Sequence, residues 1–494
     1  MKRNQKEEML YADMEVLLQE GSLTLSALKL QLALYADVHF PPLPQVDKAD
    51  KLTALYCQGM TDKVQLNEYF VRICQFVSNA EAHPESPDPT GEYHELPLIE
   101  QVYSFNGMME ELFSGSFILY IEGSTYFWSV DVSKVPQRSI EESNTEISIK
   151  GPKDAFTEDI YTNISLIRKR LHTGLLFCEE FEIGSLSKTS VALLYLQDRT
   201  KPEIVAEARK RLETMETESL LSSGQLEQWL SDRTFSLVPL IDYIGRPDYI
   251  VDTLLRGRFA VIVDGSPMAL LGPSNFLELL KTPEDTHFPY YYVMIQRLLR
   301  LFGLLLSILL PGFWIAIATV NLDQLPFSLV STVVISREGV PLPTFLEAFM
   351  LLFLFELLRE AGIRLPKAVG QTIGIVGGLI IGDSLIRAGL ASPTLLVVIA
   401  ISAVATFALV NQSLSGSVSL LRVVIMIVSA YLGIYGFILA MFAILIYLCR
   451  METFGLPYLE PIVSLRFREW LSAFLVNPLK RKRFAADMLK KKKG

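Results

Sequence analysis

The residues best suited to chemistry are a group of glycines that precede an acid and a base in one apolar segment. The glycines form two successive GxxxG spacings, and the candidate residues for helix packing or pore lining are Gly370, Gly374, Gly377, Gly378, Leu379, Gly382 and Asp383. Small residues at this spacing let helix backbones approach closely in lipid, where packing drives association. Arg387 follows Asp383 by four residues, so both side chains lie on one face of a helix.

Two interpretations of this segment stay open on the sequence alone. In the simpler one, Asp383 and Arg387 pair within one helix near its end, and the glycines pack inside a single subunit. In the other, the helix lines an ion pathway in an oligomer, and Asp383 sets a cation preference as part of a charged ring.

Two further acids, Glu347 and Glu356, occur in the short apolar run 345–358. They are nine residues apart and therefore lie on opposite faces of a helix. Glu356 can pair with Arg359 at the i,i+3 spacing. Structural pairing at a membrane edge is the simpler interpretation, and a functional intramembrane charge is the alternative.

Enzyme and metal-site motifs are not recognisable in this sequence. It contains neither a GxxxxGK[ST] phosphate loop nor an HExxH pair, and its five histidines are scattered. Ser185 and Lys188 match an SxxK pattern without its companion motifs, which favours a polar turn between two strands. None of the four cysteines forms a CxxC pair. We therefore expect no enzymatic activity, no cofactor and no metal.

The apolar residues that would position these groups are unevenly distributed along the 494 residues. Residues 1–296 read as a charged, soluble sequence, whereas 301–449 contain long runs with almost no charge. The apolar segments are 301–320, 345–358, 369–386, 393–410 and 423–449, and the first of them is long enough to span about 30 Å of hydrocarbon. The sequence therefore predicts an α/β soluble N-terminal domain followed by an α-helical polytopic membrane bundle.

The domain organisation follows from periodicity and composition. We expect a helical module at 1–80, a Pro-rich linker at 81–97, an α/β domain at 98–296, a transmembrane bundle at 297–450 and a basic tail at 451–494. The α/β domain includes a predicted hairpin around Gly123, and Pro311-Gly312 predicts a kink or a break in the first span. The N-terminus leads into no apolar core of signal-peptide length, which places the first domain in the cytoplasm.

Charge predicts the orientation and excludes one class of partner. The net charge of −9 argues against nucleic-acid binding, and much of the exposed basic charge lies in the tail between Lys480 and Lys493. The tail either binds anionic lipid headgroups or is a solubilising end. Basic clusters beside the segments predict that both ends are cytoplasmic. Since five crossings cannot achieve this, either one segment does not cross, with the short run 345–358 the preferred candidate, or the last segment is a hairpin.

Five ordered blocks resemble the A subunits of the GerA family of spore germinant receptors. They are GPKDAFTEDIYTNISLIRKR at 151–170, RPDYIVDTLLRGRFAVIVDGSPMALLGP at 246–273, SREGVPLP at 336–343, ELLREAGIRLPKAVGQTIGIVGGLIIG at 356–382 and TFGLPYLEP at 453–461. Together they extend over most of the chain from Gly151 onward.

This resemblance implies a multi-pass subunit of a receptor complex in the inner membrane of a bacterial spore. The family's A subunit works with an integral B subunit and a lipoprotein C subunit, and is similar to an oligomeric, nutrient-gated cation channel. A relative encoded with the dipicolinate channel shares these motifs, so a non-conducting scaffold or accessory subunit is the alternative. A secondary transporter is a weaker possibility, because the glycine-rich segment has no second copy.

Overall fold

The computed structural model describes residues 2–43, 51–82, 97–134, 148–233, 235–364, 382–409, 411–460 and 462–463. The chain forms two compact units. The first contains the described residues up to Pro273 apart from 235–240, and the second contains 235–240 and the described residues from Ser274 onward.

The first unit is a mixed α/β structure with two five-stranded antiparallel sheets. One sheet has the order β1-β2-β4-β5-β3, with β1 Val38–His39, β2 Leu52–Cys57, β3 Ile99–Val102, β4 Phe117–Ile121 and β5 Phe127–Val130. The other has the order β6-β7-β9-β10-β8, with β6 Leu176–Ile183, β7 Thr189–Leu196, β8 Asp242–Ile244, β9 Phe259–Val263 and β10 Ala269–Gly272. The helices are α1 Lys2–Gln19, α2 Leu25–Leu32, α3 Lys63–Ala82, α4 Phe105–Ser114, α5 Ile160–Arg168, α6 Pro202–Glu213, α7 Ser223–Leu230 and α8 Pro247–Leu255.

Local patterns account for much of this unit. The hairpin predicted around Gly123 is confirmed: β4 pairs with β5, and Gly123 takes a φ of 95° that a side chain would disfavour. Residues 1–80 differ from the expected all-helical module, because β2 is a strand that pairs with β4. The run LTALYC is short and apolar, and such a run carries no period that separates strand from helix. The predicted linker 81–97 lies almost entirely outside the described residues.

A buried ion pair joins the segment before β1 to α5. Arg168 donates from Nε to Asp37 Oδ2 at 2.8 Å and from Nη2 to Asp37 Oδ1 at 3.0 Å, and neither side chain reaches solvent. The guanidinium also lies 3.8 Å from the ring centre of Phe113. Burial alone lowers the pKa of Arg168, but the charge of Asp37 outweighs this effect and raises it. Arg168 therefore stays charged at any physiological pH.

The second unit is a bundle of helices. Its elements are α9 Tyr290–Ile315, a π turn at Ala316–Val320, α10 Phe327–Ser336, α11 Thr344–Arg364, α12 Pro393–Phe407, α13 Gln412–Cys449 and a small hairpin of β11 Glu452–Thr453 and β12 Leu456–Pro457. Within the described residues, two helices are long and apolar enough to cross a membrane, Tyr290–Val320 and Ser413–Cys449. The predicted fold class, an α/β N-terminal region followed by an apolar helical region, is confirmed.

The helix α13 folds back on itself at Gly433. A straight helix of its 38 residues measures about 57 Å, yet Leu414 near its start and Leu448 near its end belong to the same hydrophobic cluster. Gly433 has φ 58° and ψ −143°, which is not helical. Asn321 accepts a hydrogen bond through Oδ1 from the backbone N–H of Ile434 at 2.9 Å, and so satisfies an amide at the break. The last apolar segment is thus a helical hairpin, one of the two alternatives that its length predicted.

Contacts with α9 show the directions in which α12 and the first half of α13 run. The first half of α13 runs parallel to α9, because Leu304 clusters with Leu414 while Gly312 approaches Ile425 further on. The helix α12 is antiparallel: a Cβ on Gly303 would lie 3.1 Å from Ala408 Cβ. Further along α9, Ser307 O accepts from the hydroxyl of Ser402, which is earlier in α12, at 3.0 Å.

We call the end with Arg300 and Leu448 the proximal end and the end with Val320 and Gly433 the distal end. Glu347 of α11 contacts Ser392 at the distal end, and Arg359 contacts Ser415 toward the proximal end. The helix α11 therefore runs from the distal end to the proximal end, as α12 does.

The expected break at Pro311-Gly312 does not occur. The helix α9 continues through Pro311 to Ile315 and then widens into the π turn. Gly312 instead serves close packing, because a Cβ there would lie 2.5 Å from Ile425 Cγ2 of α13.

Candidate functional site

The glycine-rich candidate site is only partly described. Gly370, Gly374, Gly377, Gly378 and Leu379 lie outside the described residues, whereas Gly382, Asp383 and Arg387 lie in the helical turn that follows. Arg387 Nε donates to Asp383 Oδ2 at 2.7 Å, and both side chains are more than half exposed. This is the geometry of the simpler interpretation, and a role for Asp383 beside an ion pathway stays a prediction.

A network of three charged side chains joins α11 to α13, and two of them, Glu356 and Arg359, are partly exposed. Glu356 pairs with Arg359 of its own helix at 2.7 Å, as its spacing predicted, and with Arg422 of α13 at 3.1 Å. Arg422 is almost completely buried. Two guanidinium groups thus share one carboxylate.

Hydroxyl groups from two helices, α12 and α13, complete the network. Arg422 Nη1 donates to the hydroxyl of Ser402 at 3.1 Å, and Arg422 Nη2 donates to the hydroxyl of Ser419 at the same distance. The hydroxyl of Ser419 donates to Glu356 Oε1 at 2.6 Å, and Arg359 Nη1 donates to Ser415 at 2.9 Å. Neutral donors and acceptors therefore surround the charges, as a buried ion pair requires, although Nε of Arg422 is buried without a hydrogen-bond partner.

Sequence reasoning assigned Glu356 to Arg359 but missed Arg422. The predicted segment 423–449 leaves Arg422 outside it, whereas the helix begins at Gln412, ten residues before Arg422. The side chain of Asn411 accepts from Leu414 N at 3.1 Å and caps the helix. This cap, an Asn followed by a helical run, was a usable signal that the arginine is inside the helix.

The second predicted acid, Glu347, is fully buried at the distal end. Its Oε1 accepts hydrogen bonds from both the backbone N–H and the hydroxyl of Ser392, the latter at 2.6 Å. Ser392 precedes α12, and its hydroxyl makes this contact instead of capping its own helix. The contact joins the start of α11 to the start of α12.

An acid with two arginines lies at the proximal end. Asp285 accepts from Arg297 Nε at 2.8 Å and from Arg300 Nη2 at 2.7 Å. Burial raises the pKa of Asp285, but the hydrogen bond from Arg300 and the charges of both arginines outweigh it, so the pKa lies below its usual value. This cluster fixes the first turns of α9.

Exposed tyrosines mark both ends of the bundle. Tyr290, Tyr291 and Tyr292 begin α9 at the proximal end, and Tyr431 and Tyr435 flank the break in α13 at the distal end. The helix and π turn from Tyr291 to Val320 measure about 43 Å, close to the thickness of a bilayer with its headgroups. Tyrosines are enriched at such interfaces, so this spacing fits a membrane-embedded bundle.

The remaining groups give little chemistry. The SxxK residues form the turn between β6 and β7, where Lys188 has a φ of 47°. Within the described ranges, no three His, Cys, Asp or Glu residues are grouped as metal ligands. All four cysteines are free, and only Cys449 is exposed.

Comparison with known proteins adds a family. The family model described as Bacillus/Clostridium GerA spore germination protein matches residues 26–486. Spore germination protein XA of Bacillus anthracis is 42% identical over 408 residues, which are 82% of this chain and 83% of that protein. Spore germination protein B1 of Bacillus subtilis (strain 168) is 34% identical over 441 residues, which are 89% of this chain and 91% of that protein.

Similarity also extends to solved structures. One of them is the crystal structure of the N-terminal domain of the A subunit of the Bacillus megaterium spore germinant receptor GerK3, with 25% sequence identity and a TM-score of 0.37. The match covers 51% of this chain and 94% of that domain.

Proposed function

Because this chain belongs to the GerA family of spore germination proteins, we propose that it is the A-type membrane subunit of a germinant receptor. In this proposal, copies of the chain assemble with B and C subunits around a cation pathway that opens when a nutrient is sensed. The family relationship supports a germination role and a membrane location. No catalytic step is part of the proposal.

The observation that carries the proposal is the Glu356–Arg359–Arg422 network inside an apolar bundle. Ionisable groups at membrane depth are costly and mark ion pathways or switches more often than inert structure. Arg422 is level with Ser307, seven residues into α9 beyond Arg300, and so lies about 10 Å inside the proximal end. A merely stabilising interior could use apolar side chains at less cost.

The proposed topology has six crossings. The helices α9, α11 and α12 and the two halves of α13 account for five, and the apolar segment 369–386 supplies the sixth. Both ends of the bundle's chain then lie on the proximal side. The basic residues there, including Arg297, Arg300 and Arg450, make that side cytoplasmic by the positive-inside rule. The tail from Lys480 to Lys493 would bind anionic headgroups on the same side.

We assign the pathway to the 369–386 segment, with Leu379 and Asp383 facing it in the assembly. The exposure of Asp383 in a single chain supports this assignment, because the carboxylate is free to meet water or other copies. The pairing of Asp383 with Arg387 favours the second candidate, a non-conducting scaffold or accessory subunit. In that case the Asp383–Arg387 pair is part of an electrically neutral surface, and the chain conducts no ions.

Potassium release from spores separates the two candidates. Asp383→Asn and Leu379→Ala spores are compared with wild type before and after a nutrient panel, with protein amounts measured by blot. Asp13→Asn is a matched control, since it removes an exposed acid from α1 of the other unit. A channel predicts altered release in the first two variants at normal abundance and unchanged release in the control. Unchanged release in all three, with normal assembly, would rule out this pathway and leave the scaffold.

A further inference from the structure

The short helix α10 exposes most of its apolar surface. Among its ten residues only Val333 is buried, and none of them is ionisable. Phe327, at its start, is 88% exposed. Four apolar side chains are at least half exposed, and they are Phe327, Leu329, Val334 and Ile335. Water is therefore an unfavourable neighbour for most of this helix.

The segment that contains α10 begins and ends at the distal end of the bundle. It follows the π turn that ends at Val320 and precedes the start of α11 at Thr344. The hydroxyl of Ser336 lies 2.8 Å from Thr394 Oγ1 in the first turn of α12, which starts at the same end. A helix of this length measures about 15 Å, about half of the hydrocarbon thickness of a bilayer. The helix α10 therefore cannot cross a membrane by itself.

Hydroxyl groups of α10 are satisfied within the helix. Ser331 and Thr332 donate to Ser328 O at 2.8 and 3.0 Å, and Ser336 donates to Val333 O at 2.9 Å. Hydrogen bonds of this kind leave the hydroxyl protons with no need of water, as in membrane helices. An apolar surrounding is thus compatible with the polar side chains as well.

The exposed apolar side chains extend around most of the helix. At about 100° per residue, they spread over an arc of about 240° of its circumference. A protein partner that packs on one face of a helix covers a stripe about 100° wide. A second copy of the chain would leave part of the arc in water, whereas fluid acyl chains can cover all of it. The rest of the circumference is a hydroxyl stripe formed by Ser328, Thr332 and Ser336.

Charged and aromatic residues near α10 are typical of a membrane surface. Asp323 precedes the helix and Glu338 follows it, and both side chains are exposed. Charged groups are costly in hydrocarbon, so both ends of the helix are held near the headgroups. Tyr431 and Tyr435 are exposed at the same end of the bundle, as expected for residues at an interface.

We propose that α10 is an interfacial helix that binds the acyl chains of the distal leaflet without crossing the bilayer. Phe327 and Val334, near the centre of the apolar arc, face the acyl chains, and Ser328 and Thr332 face the headgroups. Burial of apolar area at this depth anchors the distal end of the bundle. The inference rests on the proposed membrane location of the bundle and does not depend on conduction.

Spin labels on the full-length protein in phosphatidylethanolamine–phosphatidylglycerol bilayers test the depth of α10. They are attached to Phe327→Cys, Val334→Cys and Ile335→Cys variants in a Cys449→Ser background, because the other three cysteines are buried. Collisions with molecular oxygen, which concentrates in acyl chains, are compared with collisions with a water-soluble nickel chelate. Two further labels set the scale, Val404→Cys at an exposed position of the crossing helix α12 and Asp13→Cys at an exposed position of α1.

The ratio of oxygen to nickel collisions should be several-fold higher at Phe327 and Val334 than at Asp13, and no higher than at Val404. Ile335, at the edge of the arc, should give a lower ratio than Val334. Ratios equal to that of Asp13, with a high ratio at Val404, would show that water covers α10 and overturn this inference alone. Labels shielded from both reagents would show a protein cover and overturn it as well. A low ratio at Val404 would refute the membrane location of the bundle, and this inference would fall with it.

A pair of charge substitutions covers the case in which a label disturbs the helix. Val334→Asp places a carboxylate in the apolar arc, whereas Thr332→Asp places one in the hydroxyl stripe, and both positions are exposed. Thermal unfolding in the same bilayers, followed by circular dichroism, should show a midpoint several degrees lower for Val334→Asp and little change for Thr332→Asp. In water the two exposed positions should behave alike, so equal midpoints would overturn the proposal.

Discussion

Substituting Gly433 by alanine tests the helical hairpin most directly. The φ of 58° and ψ of −143° lie in a region that is essentially restricted to glycine, and a side chain there costs about 1–3 kcal/mol. The added Cβ would lie 2.2 Å from Asn321 Oδ1 and 2.9 Å from Val320 Cβ. Asn321 has to move away, which leaves the N–H of Ile434 without its acceptor and costs about 1–3 kcal/mol more.

We therefore expect Gly433→Ala to destabilise the bundle by about 2–6 kcal/mol. The measurement is thermal unfolding of the full-length protein in detergent, followed by circular dichroism of the helices. Gly416→Ala is the matched control in the same helix, because Gly416 is exposed and a Cβ there meets nothing within 4 Å. This control should be neutral or stabilising by up to about 1 kcal/mol, since alanine favours helix.

A second substitution isolates the contribution of Asn321. Asn321→Ala removes the same hydrogen bond, so the double variant should cost less than the sum of the two single variants. If Gly433→Ala behaves like Gly416→Ala, the chain does not reverse at Gly433 and the reasoning is refuted. If the two costs add fully, the hydrogen bond of Ile434 is not the shared cause.

Three further predictions concern buried charges. Arg422→Gln should destabilise the bundle by about 3 kcal/mol, because it breaks the buried pair with Glu356, and the same unfolding measurement checks it against Arg422→Lys, which keeps the charge. Asp37→Asn should cost about 3 kcal/mol or more by leaving Arg168 buried without a counter-charge, and it should lower the amount of protein found by blot. For Asp285, whose pKa is lowered in the folded state, the stabilisation is complete above its unfolded pKa of about 3.9 and is lost as the pH falls through the folded value. Asp285→Asn should therefore be less stable than wild type at neutral pH, and unfolding at a series of pH values should show this difference shrink in acid.

The sequence predicted features that depend on neighbouring residues. The hairpin at Gly123 and the pair of Glu356 with Arg359 are both within a few positions, so propensity and spacing are sufficient to predict them. The pairing of Arg422 with Glu356 joins residues 66 positions apart, and no local pattern records it. The contact between Glu347 and Ser392 depends in the same way on how α11 meets α12.

The position of the reversal at Gly433 could not be predicted from the sequence, and the reason differs from that for the long-range pairs. The start of α13 is rich in serine and includes Arg422, whereas the rest is apolar, and this composition does not mark Gly433 as the point of reversal. Only the length of the run and one glycine distinguish a hairpin from a long helix, and glycine is common in membrane helices. The acceptor that stabilises the break, Asn321, belongs to a segment 113 positions earlier. The length therefore suggested a hairpin without giving its position.

The proximal end of the bundle also has a consequence for the order of synthesis. Asn275 donates through Nδ2 to Glu460 O at 2.9 Å, and the backbone N–H of Phe276 donates to Tyr458 O at 3.0 Å. Asn275 and Glu460 are 185 positions apart, and all of the described bundle helices lie between them in the sequence. At about 5–20 residues per second, a ribosome needs about 10–40 s to bridge that interval. The segment that leads into the bundle can therefore bind Tyr458 and Glu460 only after every described helix has been synthesised. A chain that stalls before Tyr458 leaves this end exposed to chaperones and proteases.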